Sequence, residues 1–285
     1  MEKVLEIKGL RKKYKDFCLE DVSFALPTNC ITGFIGTNGA GKTTTIRSIL
    51  GLAKKDAGEI SVFDLDFRKH EQEIKNRIGV VLDDGGFYDT LSMKEMKSII
   101  APSYTKWDEK CYKEYMDRFS LNQNQKISTL SKGMKMKFSL ALALSHNADL
   151  LIMDEPTSGL DPLIRSQLLE ILLEFMQDEN KSVFFSTHIT SDLDKIADII
   201  ILINQGKLIF QQNKDDLLDG HRKVKGYSEK LTPEARKLFI DYSENETSYS
   251  GITTHVHELE KMNVVSVVEK PLVEDIMLAY IGGVR

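Results

Sequence analysis

Apolar residues in this chain cluster into short unbroken runs set between longer stretches of mixed character. The runs at Cys30–Ile35, Ile78–Leu82, Leu150–Met153 and Ser182–Ser186 show no inside/outside alternation. That pattern predicts strands buried on both faces, as in a parallel sheet. Residues 4–7 and 22–26 do alternate, with turn punctuation at Gly9-Leu10 and Pro27-Thr28-Asn29, and Gly58–Phe63 reads as another short strand. Ile199–Ile203 and Lys207–Phe210, joined through Asn204-Gln205-Gly206, read as a hairpin.

Helical text fills the intervals. Residues 44–50 open one helix and residues 69–77 form a polar one. Residues 92–148 are helical throughout, entered at Ser92 with Glu95 in capping-box spacing. Within them, residues 133–145 carry Met136, Phe138, Leu140, Leu142 and Leu144 among alanines. Asp161-Pro162 starts a further helix, to about residue 178, with proline at its first position. Strands alternating with helices predict an α/β fold around a parallel sheet. The pattern changes after Gly220. Thr232-Pro233-Glu234 caps a short helix, 249–256 and 264–268 read as strands, and a last helix over 272–281 stops at Gly282-Gly283. Residues 1–220 are therefore expected to form one domain, with a helical subdomain at about 84–148, and residues 221–285 a small α+β accessory domain.

Composition narrows the function classes. The 285 residues carry a net charge of −5, which argues against an extended nucleic-acid surface. The basic stretches Arg11-Lys12-Lys13 and Lys132–Lys137 read as solvated faces. The three cysteines show no CxxC spacing, so neither a disulfide framework nor a zinc site is expected, in keeping with a reducing cytosol. The first residues alternate like a strand and do not resemble a signal peptide. No apolar run approaches the roughly 20 residues that cross a bilayer. A soluble chain is expected, with any membrane role exerted through a partner.

The chemistry is concentrated at residues 36–44, GTNGAGKTT, placed between a buried strand and a helix. This is the context in which G-x-x-x-x-G-K-[ST] binds nucleotide phosphates. Its glycines let successive N–H groups turn inward on an anion, and the helix N-terminus adds partial positive charge. Lys42 can reach the β- and γ-phosphates, and Thr43 can ligate Mg2+. Farther on, Asp154 and Glu155 end a buried strand. Asp154 suits Mg2+ or its water and Glu155 suits a general base for an attacking water, unless both merely mark the exit of the chain from the core. His188 ends the next strand, at the sheet edge where ligands bind in open α/β folds. A hydrogen bond to the γ-phosphate is the functional reading and a structural histidine the plain one.

Tyr14, the 36–44 loop, Leu130-Ser131-Lys132-Gly133-Met134, Ile152–Glu155, Ser158-Gly159-Leu160-Asp161 and His188, in this order, resemble the ATP-binding subunits of ABC transporters over residues 1 to about 220. The SKGMKMK text, the Asp83-Asp84 loop and the Pro271–Ile276 stretch look most like Gram-positive exporter ATPases for antimicrobial peptides, acetoin or phenol-soluble modulins. The resemblance implies a P-loop NTPase with a RecA-like parallel core and an N-terminal antiparallel β part. It implies ATP and Mg2+ as ligands, and a peripheral place at the cytoplasmic face of the membrane. Tyr14 would stack on adenine, although an edge-strand tyrosine is the plain alternative. Gly36, Asn38, Gly39, Ala40, Gly41, Lys42, Thr43 and Thr44 would cradle the phosphates. Ser131, Gly133 and Asp161 would meet ATP held by a second, facing cassette, so a dimer with a separate polytopic permease is implied.

Two departures from the family pattern bear on turnover. Lys132 and Met134 replace a glycine and a glutamine of the usual LSGGQ motif, and Asp83 stands where a glutamine is usual. Asp83 is short but charged and could ligate the metal directly, or it is a loop acid without a catalytic part. Phe87, Tyr88 and Leu91 are candidates for an apolar docking patch, or for core packing. A soluble ABC ATPase of the translation or repair type would want a second cassette, a zinc module or a coiled-coil insertion, none of which this sequence shows. A nucleotide-switched regulator with little turnover is the third class, and Asp83, Lys132 and Met134 keep it open. His255 and His257 alternate and would share one side of a strand.

Overall fold

The computed structural model describes residues 2–83 and 85–282. Asp84 of the expected Asp83-Asp84 loop and Gly283 of the expected helix stop lie outside the described residues. The chain opens with a long antiparallel pair, β1 (Lys3–Lys13) and β2 (Cys18–Pro27). Both strands outrun the alternation that predicts them, because register shifts let β1 continue past Gly9. Then follow β3 (Ile31–Ile35), α1 (Lys42–Ile49), β4 (Ala57–Val62), the two-residue β5 (Leu65–Asp66), α2 (Glu71–Arg77) and β6 (Ile78–Val81). The helical stretch resolves into α3 (Met93–Ile100), α4 (Glu109–Arg118) and α5 (Lys132–Leu144). Its entry is the expected capping box of Ser92 and Glu95. After it come β7 (Leu150–Met153), α6 (Pro162–Phe175), β8 (Ser182–Thr187), α7 (Thr190–Ile196) and the hairpin β9 (Ile199–Asn204) and β10 (Lys207–Asn213).

The central sheet runs β10-β9-β3-β8-β7-β6. All its pairings are parallel except β10 on β9. Successive residues of each inner strand enter opposite cores. Leu150 and Ile152 pack with α1 and the antiparallel β2-β1-β4-β5 sheet, while Leu151 and Met153 pack with the helices. Two cores demand apolar residues at every position, which is why these strands read as continuous runs.

The remaining elements are α8 (Lys214–Gly220), β11 (Arg222–Tyr227), α9 (Pro233–Arg236), β12 (Phe239–Glu244), β13 (Ser248–Thr253), α10 (Val256–Lys261), β14 (Val267–Glu269) and α11 (Val273–Gly282). The last four strands form their own sheet, β12-β13-β11-β14, over a small core that includes Val224, Tyr249, Leu259 and Val264. Residues 254–256 do not extend β13 as expected. Val256 and Leu259 both face that core, a three-residue spacing that only a helix satisfies. His255 and His257 therefore sit at the start of α10, each beside a glutamate, Glu258 and Glu260. Helix α11 packs on β12 and β13 of this sheet and also reaches beyond it. Its Val273, Ile276 and Met277 join the main core, and Tyr280 packs edge-on against Phe210 of β10.

Candidate functional site

Helix α1 begins at a glycine, Gly41, with no side chain capping its first turn. By contrast α3, α4, α5 and α6 are capped by Ser92, Asp108, Ser131 and Asp161. An uncapped helix N-terminus keeps its first N–H groups for an anion. Gly41 has φ +114°, and a Cβ there would lie 2.7 Å from Leu19 and 2.9 Å from Phe17, so the turn is closed to any side chain.

The loop opens onto a cavity of about 700 Å3 lined by Asn38, Gly39, Gly41, Lys42, Thr43 and Thr44 together with Asp83, Glu155 and His188. Gly36 sits behind it, against the backbone of Ile203, and Ala40 is buried beside it. Sequence motifs more than a hundred residues apart thus meet because β3, β7 and β8 are neighbours in the sheet. The Lys42 side chain is only 5% exposed. It donates to Gly36 O at 2.8 Å and Thr37 O at 3.3 Å, and lies 3.1 Å from Glu155 Oε1. Its three protons are all engaged. The other carboxylate oxygen, Glu155 Oε2, accepts from His188 Nδ1 at 2.7 Å and from the His188 N–H at 3.3 Å.

One serine sets both acids. Ser186 Oγ accepts from the Glu155 N–H at 2.9 Å and donates to Asp154 Oδ1 at 2.6 Å. Glu155 has φ +49°, a left-handed conformation costly for a residue with a side chain, and this bond holds it there. Burial pushes the Asp154 carboxyl above the ordinary aspartate range, partly offset by hydrogen bonds with Ser186 and Thr43. Thr43, Asp154 and Asp83 offer the hard oxygen donors Mg2+ prefers. Among the described residues no cluster of three or more acidic, histidine or cysteine side chains forms a self-sufficient metal site.

Ser131, Gly133 and Asp161 are not among the residues lining that cavity. They gather where the N-termini of α5 and α6 approach: a Cβ on Gly133 would lie 2.8 Å from Ile164. Tyr14 is 46% exposed beneath Lys12 and does not line the cavity, whereas Phe17 and Ser158 do. Phe17, placed between the turn and β2, has no motif to flag it. Of the candidate docking residues, Phe87 packs on Phe138 and Leu91 leans on the core, while Tyr88 is exposed. A groove of about 690 Å3, lined by Leu50, Leu52, Phe67, Ile78 and Tyr104, ends at Leu82 beside Asp83.

Residues 19–158 match the ABC transporter family model. The chain is 30% identical to the bacitracin transport ATP-binding protein BcrA of Bacillus licheniformis over 99% of both proteins. The chain belongs to the ABC transporter ATP-binding subunits. It is also 33% identical to the linearmycin resistance ATP-binding protein LnrL of Bacillus subtilis, over 75% of this chain and 70% of that one. A solved ATP binding subunit of an ABC transporter, 28% identical, superposes with a TM-score of 0.69 over 76% of this chain and 92% of its own. The fold is shared with a cassette solved as a dimer in a post-hydrolysis state with ADP and Pi, at 22% identity and a TM-score of 0.64 over 73% of this chain and 98% of that one. As an ABC ATP-binding subunit the chain is an ATPase that powers transport with a separate permease. None of its described helices is long and apolar enough to cross a membrane.

Proposed function

We propose that this ATPase hydrolyses Mg-ATP between its own phosphate loop and the Ser131–Gly133 face of a second cassette. Cassette closure and opening drive a polytopic permease from the cytoplasmic face of the membrane, and peptides or other amphipathic molecules are carried outward. The observation that carries the hydrolytic reading is the position of Glu155, a carboxylate in strained backbone, shared between Lys42 and His188 above an uncapped helix.

On nucleotide binding, Lys42 exchanges its loop carbonyls and Glu155 for the β- and γ-phosphates. Glu155 keeps its His188 contact and, freed from Lys42, orients or deprotonates the attacking water. His188 and Lys42 offset the charge that develops on the transferring phosphoryl group. Mg2+ bound with the nucleotide would neutralise phosphate charge, held by Thr43 and Asp154 with Asp83 at the edge of the site. Tyr14 stacks on adenine, beside the Phe17 wall. Ser131, the Gly133 N–H and Asp161 act on the partner's nucleotide, in keeping with their absence from the lining of their own chain's cavity. The apolar groove ending at Leu82 receives a segment of the permease, next to the exposed Tyr88.

The amphipathic cargo rests on the relatives named for bacitracin transport and linearmycin resistance. Their names also disfavour a translation or repair role. The test is the Glu155→Gln chain, tagged and recovered from detergent-solubilised membranes with Mg-ATP. Loss of phosphate release with retained ATP-dependent dimers, and a polytopic protein in stoichiometric amount, are expected. Normal turnover would remove Glu155 as the base, and recovery with soluble partners alone would remove the transport role.

A further inference from the structure

Asp83 and Lys132, two of the positions that depart from the family pattern, are bonded to each other: Lys132 Nζ lies 2.6 Å from Asp83 Oδ1. Lys132 is the first residue of α5, whose first turn contains no acid. A cation there is opposed by the positive end of the helix dipole, so an anion from outside the helix is favoured beside it. Its stem passes the turn that leads to Asp161, since a Cβ on Gly159 would lie 3.5 Å from Lys132 Cδ and Nζ. One turn along, Lys135 pairs with Asp89 at 2.9 Å. Two ion pairs therefore tie the 83–91 loop to the N-terminal end of α5. Asp83 also lines the phosphate-loop cavity with Lys42, Thr43 and Glu155, which puts one carboxylate within reach of two kinds of cation.

We propose that Asp83 exchanges Lys132 for the metal–nucleotide held in its own cavity, and that the released Lys132 ammonium neutralises the γ-phosphate presented by a second copy of this chain. The pair thereby couples one nucleotide site to the other. This rests on the two-cassette reading above and specifies a device within it. Both side chains are about half exposed, so their mutual attraction is weak. A divalent cation displaces an ammonium from a carboxylate, whereas nucleotide without metal leaves the pair closed. The coupling is reciprocal: a facing γ-phosphate that draws Lys132 away leaves Asp83 free for metal in its own site.

The test measures the ATP concentration for half-dimerisation by sedimentation, in the Glu155→Gln chain, with Mg2+ and with excess EDTA. Asp83→Asn, added to that background, should lower the EDTA midpoint roughly fivefold and shrink the Mg2+-to-EDTA difference by the same factor. Lys132→Gln should raise the Mg2+ midpoint by about as much, and combining the two should leave only the Lys132→Gln effect. An unchanged EDTA midpoint in the Asp83→Asn chain, or strictly additive effects, overturns the exchange alone. A Glu155→Gln chain that stays monomeric with Mg-ATP overturns the self-paired cassette and the exchange together.

Discussion

The phosphate-loop cavity and the face carrying Ser131, Gly133 and Asp161 use the same materials, helix N-termini and charged side chains, to opposite ends. In the cavity, α1 is uncapped and Lys42 is buried with every donor engaged. On the other face, α5 and α6 are capped by their own side chains, and Lys132 is about half exposed with one carboxylate partner. The first site is ready within one chain, held by buried interactions whose loss leaves an uncompensated charge. The second is stable without its ligand and loosely latched, as suits a surface that waits for another molecule.

Substitutions can break that contrast. The largest effect is expected from Lys42→Ala, which deletes the buried cation facing the phosphates. ATP affinity should fall roughly tenfold to a hundredfold, read by titration calorimetry, and retained affinity would mean that the loop amides alone suffice. Ser186→Ala comes next, because it removes the group that links the Glu155 backbone to the Asp154 carboxylate. A stability loss of about 1–3 kcal/mol and a drop in kcat larger than the change in KM are expected. A KM effect alone would make Ser186 a packing residue. The smallest effect belongs to Lys132→Gln in the nucleotide-free chain, whose unfolding free energy should stay within about 0.5 kcal/mol of the parent. A larger loss would show that the latch is part of the folded framework rather than a contact poised to open.

Legibility in the sequence followed the range of the interactions. The 36–44 loop and the strands at 150–153 and 182–187 were readable because a local pattern, or burial on both faces, fixes each residue in place. β12 was missed: Phe239-Ile240-Asp241-Tyr242-Ser243-Glu244 is an edge strand with no fully buried residue, so no periodic signal is imposed on it. The alternation of His255 and His257 suggested a strand, while the buried Val256–Leu259 spacing set a helix. Phe17 and Ser186 carry no motif, and their roles emerge only when the sheet brings distant segments together. The Asp83–Lys132 pair was invisible for the same reason, although both residues stood out singly as departures.

Helix α11 puts a constraint on biosynthesis. Its Val273, Ile276 and Met277 complete the same core as β7, β8 and α5, though they are translated long after those elements. At roughly 5–20 residues per second, the segment between β8 and α11 takes several seconds to emerge. Once α7 and β10 have emerged, the apolar seam beside them stays unfilled until α11 follows. The last helix is thus a closing piece, and the nascent chain is most open to aggregation and chaperone capture just before it arrives.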